Sequence, residues 1–181
     1  MRIFSPGDRH EMKWAMLEAF KVNGPVYIRY SKVGNSDLHQ SKNKLSLGRP
    51  FQLVKGKNVA LIVSGGVLEI ASTVVKDLQA REIDVSLYSL PSIKPIDAAS
   101  IRKIIREYKS IFVIEEHNII GGLGSAISEI EAESSEKSRI TRIGIPDKFT
   151  GVTGSIPYLL DINGLSVKKI SQRISKTIST Y

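Results

Sequence analysis

The chain has 181 residues, of which 41% are hydrophobic and 24% charged, with no cysteine and a formal net charge of +8. That length buries one core with an appendage rather than two full domains, and the missing cysteine excludes disulfides, thiolate metal sites and a cysteine nucleophile. The charge is uneven: residues 1–57 hold 11 Lys and Arg against 4 Asp and Glu, whereas residues 58–181 hold 15 against 14. The basic stretch Ser41 to Lys57 offers only Phe51 for base stacking, so no nucleic-acid partner is expected. The longest apolar runs, Val59 to Val63 and Ile111 to Ile114, fall far short of the roughly 18 residues that span a bilayer, so no membrane partner is expected either. The opening MRIFSPGDRHE has no apolar signal core and carries Asp8 and Glu11, a pattern compatible with the cytoplasm.

In chain order, Arg2 to Phe4 reads as a short extended piece and Ser5, Pro6, Gly7 and Asp8 as the turn that starts a helix. That helix runs to about Val22, with Trp14, Leu17, Met16 and Phe20 as its apolar face, and Asn23, Gly24 and Pro25 end it. Val26 to Tyr30 is β-branched and aromatic, a strand. A lone helix and strand cannot cover their own apolar faces, so this opening is expected to dock on something larger, as the end of an incomplete domain. Residues 33–57 are polar and read as a surface linker, with Leu45, Leu47, Phe51, Leu53 and Val54 as its only anchors.

From residue 58 the pattern becomes regular. Strands are expected at Val59 to Val63, Val85 to Leu90, Ile111 to Glu115 and Ile140 to Ile145; helices at Val67 to Arg81, Ala98 to Glu107, Ser125 to Ala132 and Val167 to Thr177. In the last helix Ile170, Ile174 and Ile178 fall on the buried side and Ser171, Lys176 and Ser179 on the solvated one. Alternating strands and amphipathic helices with short connections predict an α/β fold: three layers, a mainly parallel sheet with helices on both faces.

Two groups of residues carry candidate chemistry. Glu115, Glu116 and His117 sit at a predicted strand end, where α/β folds place ligand sites, and Gly121, Gly122 and Gly124 precede a helix. A carboxylate beside an imidazole can move protons, and glycines before a helix can let an anion approach free amides. The same glycines equally serve a tight turn or close packing, and neighbouring strand residues point to opposite faces, which separates Glu115 from Glu116. GGLGS is not a dinucleotide fingerprint, because Gly122 and Gly124 supply only two glycines and the third position is Ile127. His10, His39 and His117 lie far apart in sequence, so no metal cluster is expected. The second group is Arg29 and Lys32, at the end of the strand VYIRY: either a fork and a point charge for a phosphate, or charges facing water.

These stretches together resemble the transketolase family. FSPGD with Glu11, then GPVYIRYSK, is similar to the end of its pyrimidine-binding domain; SLPSIKPID, EEHNIIGGLGSAISE, GIPDKFTG and LLDINGL resemble successive blocks of its C-terminal domain. The resemblance divides the chain into residues 1–32, the end of a pyrimidine-binding domain, residues 33–57, a linker, and residues 58–181, a transketolase C-terminal domain. It implies transfer of a two-carbon ketol unit between sugar phosphates, as in the pentose phosphate pathway, with thiamine diphosphate carrying the carbanion. In the family the diphosphate and Mg²⁺ are held by a GDG-type motif in a separate N-terminal domain, and no GDG occurs here. No catalytic, cofactor-binding or metal residue is therefore expected in this chain, which needs N-terminal transketolase domains or a subunit carrying them, in a dimer or other homo-oligomer.

Position by position, Lys32 falls where the family has an arginine in an SR word that contacts substrate phosphate, and Arg29 precedes it on the same strand. The lysine keeps the charge and loses the fork. SGGVLEIA also departs from the family's TGSEV-like word. The resemblance makes the segment from Glu115 to Gly124 a subunit-interface candidate. The alternatives are an anion- or nucleotide-binding regulatory α/β module, or part of a deoxyxylulose-phosphate synthase or of a 2-oxo-acid dehydrogenase beta subunit.

Overall fold

A computed structural model describes residues 1–31, 36–40 and 43–179. Its centre is a five-stranded sheet in the order β3-β5-β4-β7-β8, made of β3 (Phe51–Val54), β4 (Val59–Ser64), β5 (Val85–Ser89), β7 (Ser110–Asn118) and β8 (Arg139–Ile145). β4 pairs in parallel with β5 and β7, β7 in parallel with β8, and only the edge strand β3 runs antiparallel. Every residue of β4 is buried, as a central parallel strand covered on both faces requires.

Alternation along the strands sorts the core into two halves. Val59, Leu61, Val63, Leu87, Phe112 and Ile114 face α2 (Leu68–Gln79) and α6 (Val167–Ile178), which contribute Leu68, Ala71, Val75, Ile170 and Ile174. Ala60, Ile62, Tyr88, Ile111 and Val113 face α3 (Ala98–Glu107) and α4 (Leu123–Ala132), which contribute Ile101, Ile104, Ile105, Leu123 and Ile127. The fold is thus α/β, a mainly parallel sheet between two helical layers. Among the described residues no helix is long and apolar enough to cross a membrane.

A second sheet, β2-β1-β6, joins the chain's opening to this body. β1 (Arg2–Phe4) pairs in parallel with β2 (Val26–Ile28) and antiparallel with β6 (Ser92–Lys94). α1 (Arg9–Phe20) connects β1 to β2, and Asp8 caps it by accepting from the Glu11 amide at 2.8 Å.

Several expectations need correction. α1 buries Glu11 and Ala15, while Met16, Leu17 and Phe20, expected on its apolar face, are exposed, Phe20 by 82%. Trp14 does turn inward, edge-on to Phe4 at 5.4 Å. The polar stretch after β2 contains β3, where Phe51, Leu53 and Val54, expected only as linker anchors, form an antiparallel edge strand on β5. β6 and the short helix α5 (Ile156–Ile162) were not expected. Ser171, expected in solvent, is fully buried where α6 packs on α2.

Candidate functional site

The chain passes from β4 through α2 to β5 on one side, then crosses to β7 on the other side of β4. Strand order therefore reverses between β4 and β7, and in open α/β sheets ligands bind in the crevice outside the carboxyl ends of such strands. A cleft of about 580 Å³ opens there. It brings Arg29 together with Glu115, Glu116, His117, Gly121 and Gly122, which the sequence places some ninety residues away. Gly124 lies off the wall, within α4, where a Cβ would meet Arg142 Cγ at 2.8 Å. Lys32 lies outside the described residues.

The opening segment forms the facing wall. Arg29 extends the β1–β2 ladder by donating its amide to Phe4 O at 2.8 Å. The Ser5 amide donates to Pro91 O at 2.8 Å and the Ser5 carbonyl accepts from the Gly65 amide at 2.9 Å, tying the end of β1 to the turn after β4. Gly65 has φ 72°, and a Cβ there would sit 2.6 Å from Ser5 Oγ, so both backbone conformation and space require glycine.

Alternation on β7 sends its two glutamates to different tasks. Glu115 is 3% exposed and accepts from the Leu123 amide at 2.7 Å and the Gly124 amide at 2.8 Å. It supplies the cap that Gly122, at the N-cap position, has no side chain to give, and its charge complements the positive end of α4. A Cβ on Gly122 would lie 2.1 Å from Glu115 Oε2, so glycine is what lets the carboxylate approach. The Gly121 amide donates to Ser125 Oγ at 3.0 Å. The first two α4 amides, those of Leu123 and Gly124, are therefore taken by the chain's own carboxylate. Glu116 points the other way, towards Ser31 and Gly66, and His117 is exposed with Nδ1 donating to Asn118 O at 2.9 Å.

A second cluster, beneath α1, was not legible in the sequence. Asp8, Glu11 and His39 are all buried. Asp8 Oδ2 accepts from His39 Nδ1 at 2.8 Å and from the amides of Leu38 and His39 at 3.1 and 3.0 Å. Glu11 accepts from the Gly7 amide at 2.6 Å and from the Ser89 hydroxyl on β5, and its Oε1 lies 3.4 Å from His39 Nε2. Burial works to raise the Asp8 pKa, but the hydrogen bonds from His39 and from the Glu11 and His39 amides prevail, holding this carboxyl well below the usual range. Burial pushes Glu11 up to about 7 against the opposing pull of His39, Ser89 and Gly7. For His39, burial opposes the charge, yet Asp8 and Glu11 raise its pKa. Among the described residues, Asp8 bonds the His39 ring, whose Nε2 makes no hydrogen bond, and no group of three or more His, Cys, Asp or Glu side chains is placed to hold a metal ion.

A mainly parallel α/β sheet with a mixed-charge cleft at its point of strand reversal defines a doubly wound domain of the ligand-binding or assembly kind. The family model of the transketolase C-terminal domain matches residues 51–170, and the chain belongs to that family. It is 31% identical over 171 residues to one of the subunits of an apulose-4-phosphate transketolase from Actinobacillus succinogenes, covering 94% of this chain and 55% of that protein. It is 30% identical over 177 residues to a putative transketolase C-terminal section of Methanocaldococcus jannaschii, covering 96% of this chain and 54% of that protein. The 1-deoxy-D-xylulose-5-phosphate synthase of Chlorobium phaeovibrioides is 29% identical over 96% of this chain, which spans 28% of that enzyme. A solved split-gene transketolase, described as an inactive beta4 tetramer, superposes with a TM-score of 0.88 at 28% identity, over 99% of this chain and 57% of its own. The chain thus spans between about a quarter and a little over half of these relatives' lengths.

Proposed function

We propose that this chain is the C-terminal section of a transketolase-type enzyme that moves a two-carbon ketol unit between sugar phosphates, with Arg29 and Lys32 binding substrate phosphate. The observation that carries the reading is the position of Arg29: a strand-end cation opening into the cleft at the carboxyl ends of β4 and β7. Arginine's planar fork suits a phosphate dianion. Residues 1–32 then act as the end of a pyrimidine-binding domain, residues 33–57 as the link that includes β3, and residues 58–181 as the C-terminal domain. The sequence has no GDG word, so thiamine diphosphate and Mg²⁺ are assigned to a partner chain or domain. Glu115 occupies the Leu123 and Gly124 amides, which favours an assembly role over a regulatory anion site for Glu115, His117 and the glycine turn at Gly121, Gly122 and Gly124.

The test is reconstitution with a partner carrying the cofactor domains, measuring two-carbon transfer from a ketose phosphate to an aldose phosphate. Transfer by the mixture, but by neither part alone, is the expected result. Stoichiometric binding of thiamine diphosphate and Mg²⁺ to the isolated chain would refute the assignment to a partner. Formation of 1-deoxy-D-xylulose 5-phosphate in place of a transfer product would move the reading to a synthase, which the Chlorobium relative keeps as the second candidate.

A further inference from the structure

We propose that Glu116 makes this cleft selective for sugars with one anionic end, by facing the hydroxyl-bearing part of a ligand whose phosphate lies at Arg29. The inference rests on the reading of Arg29 as a phosphate contact and adds a carboxylate from the C-terminal domain to the same site.

Three observations support it. First, Glu116 and Ser31 converge on one point: the position a Cβ on Gly66 would take is 3.2 Å from Glu116 Oε2 and 3.4 Å from Ser31 Oγ. Ser31 is two residues from Arg29, so the end of β7 reaches the phosphate-candidate segment at the end of β2. Second, the two carboxylates on this wall are not equivalent. Glu115 is committed to the Leu123 and Gly124 amides, while Glu116 is half-buried with its carboxylate on the cleft side. Third, Arg29 and Glu116 line the same cleft, yet among the described residues neither takes part in an ion pair within 4.0 Å. A cation and a carboxylate held in one cleft without neutralising each other can each take part of a ligand.

The chemistry of the two ends then sets the ligand class. A phosphate at Arg29 makes charge-assisted hydrogen bonds. A carboxylate only accepts hydrogen bonds, so Glu116 favours hydroxyl donors, with the Ser31 hydroxyl beside it able to donate or accept. A ligand with a second phosphate would turn that group towards Glu116, and like-charge repulsion within a partly hydrated cleft selects against it. The preference is thus built by repulsion as well as attraction, and it fixes the direction in which a sugar phosphate lies.

The test is a titration of the full chain, followed by backbone amide NMR shifts, with inorganic phosphate, ribose 5-phosphate and fructose 1,6-bisphosphate. In the wild-type chain all three should move the amides around Arg29 and Ser31. Glu116→Gln should shift the ratio of the two sugar dissociation constants by roughly three- to tenfold in favour of the bisphosphate, with a smaller change for inorganic phosphate. Glu116→Asp, which keeps the charge, should keep the preference, and Arg29→Ala should abolish the phosphate response to all three probes. If Glu116→Gln leaves the ratio unchanged while Arg29→Ala abolishes binding, the role of Glu116 is overturned and the phosphate reading stands. If no probe moves these amides, or Arg29→Ala binds all three as before, the phosphate reading fails and the inference fails with it.

Discussion

Glu11 should make this protein lose stability as pH rises from about 5 to about 8, the reverse of what a paired surface carboxylate does. Its carboxyl is fully buried and titrates at about 7 in the folded chain, against an ordinary value of 4.5. Between those values the folded state holds a proton that the unfolded state has released, so stability is greatest at the acid end of the window and falls as pH climbs through it. At about 1.4 kcal/mol per pH unit the full effect is about 3 kcal/mol. His39 acts in the same direction: its raised pKa contributes stability that is complete below its unfolded value and lost as pH rises through its folded one. Asp8 acts in the opposite direction, with stability lost only as pH falls below the ordinary carboxylate range, because its folded pKa is depressed. Glu11 and His39, with Oε1 and Nε2 3.4 Å apart, each favour the other's charged form, which opposes part of the burial effect. Guanidinium unfolding of wild type and Glu11→Gln across the window measures the effect. The glutamine should flatten most of the slope and leave the part owed to His39. Wild-type stability that climbs with pH, or a Glu11→Gln slope equal to the wild type's, would refute the reasoning.

In the reconstituted enzyme Arg29→Ala should raise KM for phosphorylated sugars roughly ten- to hundredfold over unphosphorylated analogues, the equivalent of about 1.5–3 kcal/mol, with little change in kcat. Equal losses for both substrate types would remove Arg29 from the site. Lys32→Arg should retain or improve phosphate recognition, because it restores the bidentate fork. Gly122→Ala should cost about 2–3 kcal/mol in denaturant unfolding, since its Cβ displaces the Glu115 carboxylate from the Leu123 and Gly124 amides. Phe4→Ala should cost about 3–5 kcal/mol, because Phe4 is fully buried, whereas Phe20→Ser should stay within about 0.5 kcal/mol of wild type.

What the sequence made legible follows from range. β4 and the first part of β7 are short apolar runs, β5 sets Val85, Leu87 and Tyr88 among serines, and α2 and α3 carry their apolar residues at helical spacing, so local pattern was enough to find them. β3 and β6 are half-covered and depend on partners thirty to ninety residues away, Phe51 on Ser89 and Phe4 on Ser92, which no local window contains. α1 was found, but its face was misjudged: the inward positions carry Glu11 and Ala15, because a buried carboxylate network replaces apolar packing there. Asp8 followed by Glu11 was readable as a helix start; that His39 would close the network was not, since it reaches Asp8 across 31 positions. At the cleft, alternation on β7 did separate Glu115 from Glu116, and the glycines did mark a tight turn. The capping of α4 by Glu115 spans 8 and 9 positions through a reversal of the chain, which strand and helix periodicities do not encode.

The cleft belongs to neither end of the chain alone. One wall is the turn after β4 with the end of β7, and the other is the ends of β1 and β2. They are held together by the β1–β6 pairing, by the Ser5–Pro91 and Gly65–Ser5 backbone hydrogen bonds, and by the Glu11–Ser89 contact that anchors α1 to β5. Each contact joins a residue before position 12 to one after position 64. Arg29 therefore shares a cleft with Glu116 only while β1 remains on β6, and anything that frees the opening segment separates the two groups without touching either. The buried Asp8, His39 and Glu11 network is part of that attachment, and a charge left unpaired in it is costly. The buried network and the cleft thus share contacts: the Glu11–Ser89 hydrogen bond anchors α1 to β5, and the same opening segment carries the phosphate-candidate strand end to the cleft at the carboxyl end of β7.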